Sequence, residues 1–155
     1  MNDIERITAL VEKFPRLFHG ESPQIPSHLP LGWDDLVTRL MADLNALLDD
    51  SQAECFRILQ IKEKVAGLRV YWRLDCEEKT AVLDLGGDPS APGADTEPDE
   101  STTVSGRIAA RVLQAEEEAA QTCQRCSQSG ASKQASSGGV ATLCAACCQQ
   151  RAEAL

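Results

Sequence analysis

The chain has 155 residues, a formal net charge of −9 and only 4% aromatic residues. That length suits one domain, or a modest domain with a small appended module, and its core has to be built from Leu, Ile, Val and Ala. The acidic balance argues against a general-purpose nucleic-acid binder, which needs basic groups to displace counterions from phosphates, and it leaves room for a local basic patch.

The N-terminal MNDIERITAL has neither the basic nor the apolar region of a signal peptide. No apolar run approaches the ~18 residues of a membrane span. The expected compartment is cytoplasmic, where thiols stay reduced and clustered cysteines bind metal more often than they pair.

In chain order, residues 2–14 are expected to form a helix. Asn2 and Glu5 have capping-box spacing, Ile4, Ile7, Leu10, Val11 and Phe14 form a stripe, and Pro15 stops it. Residues 19–32 are a Pro- and Gly-rich connector holding His19 and His28, for which no special role is expected. Residues 33–50 carry the clearest helical pattern, with Leu36, Val37, Leu40, Met41, Leu44, Leu47 and Leu48 on one face. Asp34 and Asp35 fall in its first turn and complement the helix dipole; as neighbours they point apart and do not suit joint acid–base work.

The period then changes. Runs 56–62 and 68–74 flank a short turn containing Gly67, and Leu68, Val70, Trp72 and Leu74 alternate with Arg69, Tyr71 and Arg73. This pattern predicts a β-hairpin with one wet, basic face. With Lys62 opposite Leu68, Cys55 falls almost opposite Cys76. An oxidising compartment would allow them to bridge; in the cytoplasm they are expected as two reduced, partly buried residues. Lys62, Lys64, Arg69, Tyr71 and Arg73 form a candidate interaction surface, since Arg and aromatic residues make interface hot spots; the plainer alternative is the solvated face of an ordinary hairpin. Residues 84–102 are rich in Gly, Pro and acid and predict a linker. Residues 103–121 return to a helix with a narrow stripe (Val104, Ile108, Val112, Ala115, Ala119) that has to lean on the first domain to be stable.

The last segment carries the strongest motif, CQRCSQSGASKQASSGGVATLCAACC from Cys123 to Cys148. Each CxxC supplies two adjacent corners of a tetrahedron, and C-x2-C-x17-C-x2-C falls in the range of a zinc module. Cys123, Cys126, Cys144 and Cys147 are the expected ligands of one structural Zn²⁺ per chain. A closed four-thiolate set leaves no open position for a catalytic water. Cys148, four residues after Cys144, competes with Cys147 for the last corner. The first alternative is a reduced cysteine-rich loop without metal, and the lesser ones are redox use or an iron–sulfur cluster; a thioredoxin-like role needs a βαβ context that neither CxxC has. VATLCAACCQQ predicts a short strand entering a helix whose first turn holds Cys144 and Cys147. The polar stretch between the pairs cannot build a core, so the metal has to hold the module together.

The order of a GW dipeptide and amphipathic helix, then QIKEKVAGLRVYW, then a helix leading to CxxC and LCxxC, resembles a group of small uncharacterised bacterial proteins, often prophage-associated. Lys62, Glu63, Lys64, Gly67, Leu68, Arg69 and Tyr71 approximate their KEK-x-G-x-L-R-x-Y hairpin, and the two CxxC pairs match their finger. The resemblance implies the same architecture and no assignable activity.

The expected fold class is α+β: helices plus a β-hairpin over 1–83, an acidic linker over 84–102, and a helix with a treble-clef or zinc-ribbon-like finger over 103–155. No P-loop, GxGxxG, GxSxG or HExxH motif is present, and no catalytic residues are expected. The expected function is a non-enzymatic interaction module that binds another protein. The alternative is a nucleic-acid- or nucleoprotein-binding finger, which has only Arg125, Lys133 and Arg151 as cations.

Overall fold

Helix α1 (Asp3–Lys13) begins at Asn2, whose side chain accepts from the Glu5 N–H while Glu5 accepts from the Asn2 N–H. This is the expected capping box. The computed structural model describes residues 2–21, 29–76 and 103–153. The expected linker over 84–102 and His28 lie outside the described residues.

Pro15 ends α1 and at once opens a one-turn helix, α2 (Pro15–Phe18), because its fixed φ suits the first helical position. His19 closes α2 in the left-handed region (φ 52°), and its Nε2 faces the carbonyls of Ala53 and Phe56 at 2.8 and 3.0 Å. Two acceptors around one ring nitrogen require that nitrogen to carry the proton. His19 therefore ties α2 to the chain entering the first strand.

The helix expected over 33–50 is divided. A 3-10 turn (Leu31–Trp33) leads into α3 (Asp34–Leu47), and a separate helix, α4 (Asp50–Cys55), follows. Asp49 makes a second capping box with Gln52, and this competing start breaks the helix at Leu48. Leu36, Val37, Leu40, Met41 and Leu44 are buried, as their spacing predicts. Asp34 does more than face a helix dipole. It grips Arg6, which also binds Asp3 and the Leu29 carbonyl, so α1 is clamped to the start of α3. Hydrogen bonding to Asp34 outweighs burial and holds the Arg6 guanidinium above its ordinary pKa.

Strands β1 (Phe56–Lys64) and β2 (Gly67–Leu74) form the antiparallel hairpin. Phe56 pairs with Leu74 and Ile58 with Trp72, the register expected, but towards the turn Lys62 faces Arg69 and Glu63 faces Leu68. An extra residue at Leu59, a β-bulge, absorbs the shift. The turn is Val65–Ala66, with φ of 50° and 61°, and Gly67 begins β2 paired with Lys64. Two-residue hairpin turns of this hand favour Asn-Gly, because φ > 0 strains a residue with a branched Cβ. Val65 is 66% exposed and has little packing to offset that strain. Val65→Asn is expected to stabilise the protein by about 1 kcal/mol. The check is a rise in the urea midpoint at unchanged slope; a fall would show that the valine side chain is needed where it stands.

Cys55 and Cys76 are joined by a disulfide, contrary to the expectation of a reduced pair. The Asp75 N–H donates to the Cys55 carbonyl at 2.8 Å, closing the hairpin base and bringing the two Cα atoms to 5.4 Å, within bonding range.

Helix α5 (Val104–Ala119) starts at Thr103, whose side chain accepts from the Gly106 N–H. It packs against α3 and β2, and Ile108, Val112, Ala115 and Ala119 enter the same core as Trp33, Leu40, Phe56 and Leu68. The narrow stripe thus leans on the first part of the chain, as expected. Arg39–Glu118 and Arg111–Asp43 pairs, each at 2.6 Å, flank the α3–α5 seam. Strands β3 (Ser132–Ser136) and β4 (Gly139–Leu143) form a second hairpin, and α6 (Ala145–Glu153) ends the described chain. The architecture is α+β with a zinc-finger-like end. No helix among the described residues is long and apolar enough to cross a membrane.

Candidate metal centre

After α5 the chain turns into a knuckle. The Cys123 N–H donates to the Gln128 carbonyl at 2.8 Å and the Ser127 N–H to the Cys123 carbonyl at 3.1 Å, with Ser127 left-handed at φ 66°. This tight loop turns the sulfurs of Cys123 and Cys126 to one side. The β3–β4 hairpin then carries the chain to Cys144, just before α6, and Cys147 lies in the first turn of that helix. Spacing of three residues puts both sulfurs on one helix face.

The four sulfurs of Cys123, Cys126, Cys144 and Cys147 lie within 4.8 Å of one another, with Cys126 and Cys144 3.6 Å apart. A tetrahedral site with metal–sulfur bonds of about 2.3 Å has sulfur–sulfur edges of about 3.8 Å, so the cluster has room for one such ion. Cys148 packs against this group but is not part of it. Its N–H continues the helix by donating to the Cys144 carbonyl at 2.9 Å. Cys123 and Cys147 are buried, while Cys126 is exposed at the rim.

The thiols are unequal. Burial opposes ionisation of Cys123, but the N–H groups of Cys144, Arg125 and Cys126 around its sulfur bring its pKa down from 9.0 to about 6. Cys147 is pushed up to about 12 by its hydrogen bond with Cys126, by burial, and by Cys144 and Cys123. At Cys126 a Gln128 N–H favours the thiolate, yet burial and the neighbouring Cys144 sulfur raise its pKa. Four sulfurs this close cannot all be thiolates without a cation between them. What the arrangement can do is hold one thiophilic ion in a closed shell.

The polar segment 127–139, read in the sequence only as unable to build a core, supplies β3 and the turn into β4. Its signal is faint, because the strand residues Ser132–Ser136 are Ser, Lys, Gln, Ala and Ser. Their partners are satisfied by backbone pairing instead of burial.

The finger is also fastened to the helical body. The Gly32 N–H donates to the Gln124 carbonyl at 2.9 Å, the Trp33 indole N–H to the Thr122 carbonyl at 3.1 Å, and the Thr142 hydroxyl to the Ala66 carbonyl at 2.8 Å. Trp33, Ala66 and Thr142 are fully buried. The GW dipeptide and the hairpin tip therefore grip the finger from two sides.

The expected interaction residues stand together on the outer face of the first hairpin. Arg69, Tyr71 and Arg73 of β2 face Lys62, Gln60 and Arg57 of β1, and Lys64 lies beside the turn. Lys62 Nζ sits 4.9 Å from the Tyr71 ring centroid. Glu116 approaches Arg69 at 3.7 Å and Asp75 pairs with Arg73 at 2.7 Å. Asp34 and His19 are not brought together: Asp34 lines a cleft with Arg6, Leu10 and Val37, while His19 is bound to backbone carbonyls. No family model matches the chain, and no curated protein or solved structure is significantly similar to it.

Proposed function

We propose that this chain is a non-enzymatic protein-interaction module, stabilised by one structural Zn²⁺ and presenting the basic face of its first hairpin to an acidic protein partner. Zinc fits a closed tetrahedral set of four thiolates, which leaves no coordination position for chemistry. Its role is to hold the knuckle, and through Thr142 and Gln124 the hairpin tip and the GW turn, in one arrangement. The resemblance to prophage-associated proteins suggests a regulator or inhibitor of a host protein.

The observation that carries the partner's chemistry is the charge pairing across the strands. Arg57 lies opposite Arg73 and Lys62 opposite Arg69, in a chain whose net charge is −9. Like charges directly opposite weaken a sheet; Asp75 on Arg73 and the more distant Glu116 near Arg69 offset part of that repulsion, and an anionic surface laid over Arg57 and Lys62 would relieve the rest. Tyr71 stands between the two pairs and is 42% exposed, a suitable anchor at the centre of such a contact. The test places a photo-crosslinking residue at position 71 in the native host. Crosslinks to a protein are expected, reduced at least about tenfold by Arg69→Glu with Arg73→Glu. A salt-sensitive gel shift of DNA or RNA, abolished by the same pair, would instead establish the nucleic-acid alternative.

A further inference from the structure

We propose that the cleft between the knuckle and α6 is a binding site for a carboxylate carried on an apolar group, such as an acidic or C-terminal residue of a peptide. The cleft is about 380 Å³ and is lined by Gln124, Arg125, Ala141, Leu143 and Arg151. Its charged lining is two arginines with no acid, and neither arginine has a carboxylate within ion-pairing distance among the described residues.

The donors are aimed by the fold. Gln124 is held by its backbone, with its N–H on the Thr142 carbonyl at 2.9 Å and its carbonyl accepting from Gly32. Its side-chain oxygen accepts from the Thr142 N–H at 3.3 Å. Only an oxygen can face that N–H, so the amide cannot flip and Nε2 is fixed as a donor. That Nε2 is buried and has no partner among the described residues. Arg151 donates from one terminal nitrogen to the Gly139 carbonyl at 3.3 Å, which anchors its guanidinium, and the other terminal nitrogen is buried without a partner among the described residues. Buried donors of this kind are costly unless something accepts from them. Arg125 is exposed and adds its charge at the rim. Ala141 and the buried Leu143 provide an apolar wall.

Donors without acceptors select an anion, and the apolar wall selects one attached to a hydrocarbon. A guanidinium and an amide that line one cleft can each serve an oxygen of a carboxylate. Two other clefts among the described residues lack this set: Arg6 and Arg39, which line them, are already neutralised by Asp3, Asp34 and Glu118. Nucleic acid is disfavoured, because residues 123–155 contain no aromatic side chain on which a base would stack. None of the first-hairpin residues takes part, so this site stands or falls separately from the hairpin contact.

The test titrates the full, metal-loaded, isotope-labelled chain with N-acetyl-leucine, using N-acetyl-leucinamide and inorganic phosphate as comparators. N-acetyl-leucine is expected to move the Gln124 side-chain amide and Arg151 Nε resonances saturably, and the amide is not. Arg151→Gln and Arg125→Gln should each weaken binding about tenfold, whereas Arg107→Gln on the exposed side of α5 should leave it unchanged. Arg125 is exposed, so its replacement does not disturb the fold. Equal binding of the leucinamide, tighter binding of phosphate, or no saturable shift at these two residues overturns the proposal.

Discussion

Replacing Gly32 by alanine is expected to pull the knuckle away from the helical body and to lower both stability and metal affinity. A Cβ at Gly32 would overlap the Cys123 carbonyl oxygen and lie 2.6 Å from the Gln124 carbonyl carbon. These are backbone atoms of the loop that carries two sulfurs of the candidate metal site, so they cannot swing aside as a side-chain end can. The displacement would also break the Gly32–Gln124 hydrogen bond and strip the Trp33 indole N–H of its acceptor. Overpacking of a tight site costs about 1–3 kcal/mol and a stranded buried donor about 1–3 more. A total near 3 kcal/mol is a large share of the stability of a domain this size and lowers the melting midpoint by roughly 10 °C. Trp33 is fully buried, so with Trp72 replaced by Phe its fluorescence reports the opening. Trp33→Phe should reproduce the smaller part of the effect, since it removes only the indole donor. A Gly32→Ala protein with an unchanged midpoint and unchanged metal affinity would show that the knuckle is not held here.

This coupling marks where the sequence stopped being legible. The CxxC pairs declare themselves through spacing, because the chemistry of a tetrahedral thiolate site fixes how far apart its ligands fall along the chain. The α3 stripe and the alternation of β2 are equally direct, since burial on one face leaves a period. The GW dipeptide has no such period. Its importance arises from Gly32 lacking a side chain opposite the backbone of Cys123 and Gln124, far along the chain, and no local rule encodes that. Thr142 is similar: one hydroxyl in a five-residue strand reaches the Ala66 carbonyl of a turn that itself breaks the usual residue preferences. The bulge at Leu59 and the second capping box at Asp49 were both written locally. They were obscured by stronger apolar patterns running across them. The Cys55–Cys76 bond depended on a compartment argument, which the geometry of the hairpin base does not share.

Lowering the pH is expected to release the metal steeply, and the slope is set by the apo thiols. Binding requires all four sulfurs as thiolates, so every thiol that is protonated in the free protein gives up a proton to the solvent. Near pH 7 Cys123, with a pKa of about 6, is already mostly ionised, whereas Cys147, at about 12, and Cys126, raised from 9.0, are protonated. At least these two protons compete with the metal. The sign follows: affinity rises with pH, by about a hundredfold per unit near neutrality if two protons are released. Below about pH 6 Cys123 also has to be deprotonated, and the dependence steepens by a further tenfold per unit. Because the finger grips Trp33 and the hairpin tip, metal release should register in Trp33 fluorescence at the same pH as in a chromophoric chelator assay. Cys126→Ser removes one competing proton together with one ligand and should show weaker binding with a shallower pH slope. A slope near zero through neutrality would mean that the thiols are already ionised without metal. A Trp33 signal that ignores metal release would mean that the finger folds and unfolds apart from the body it touches.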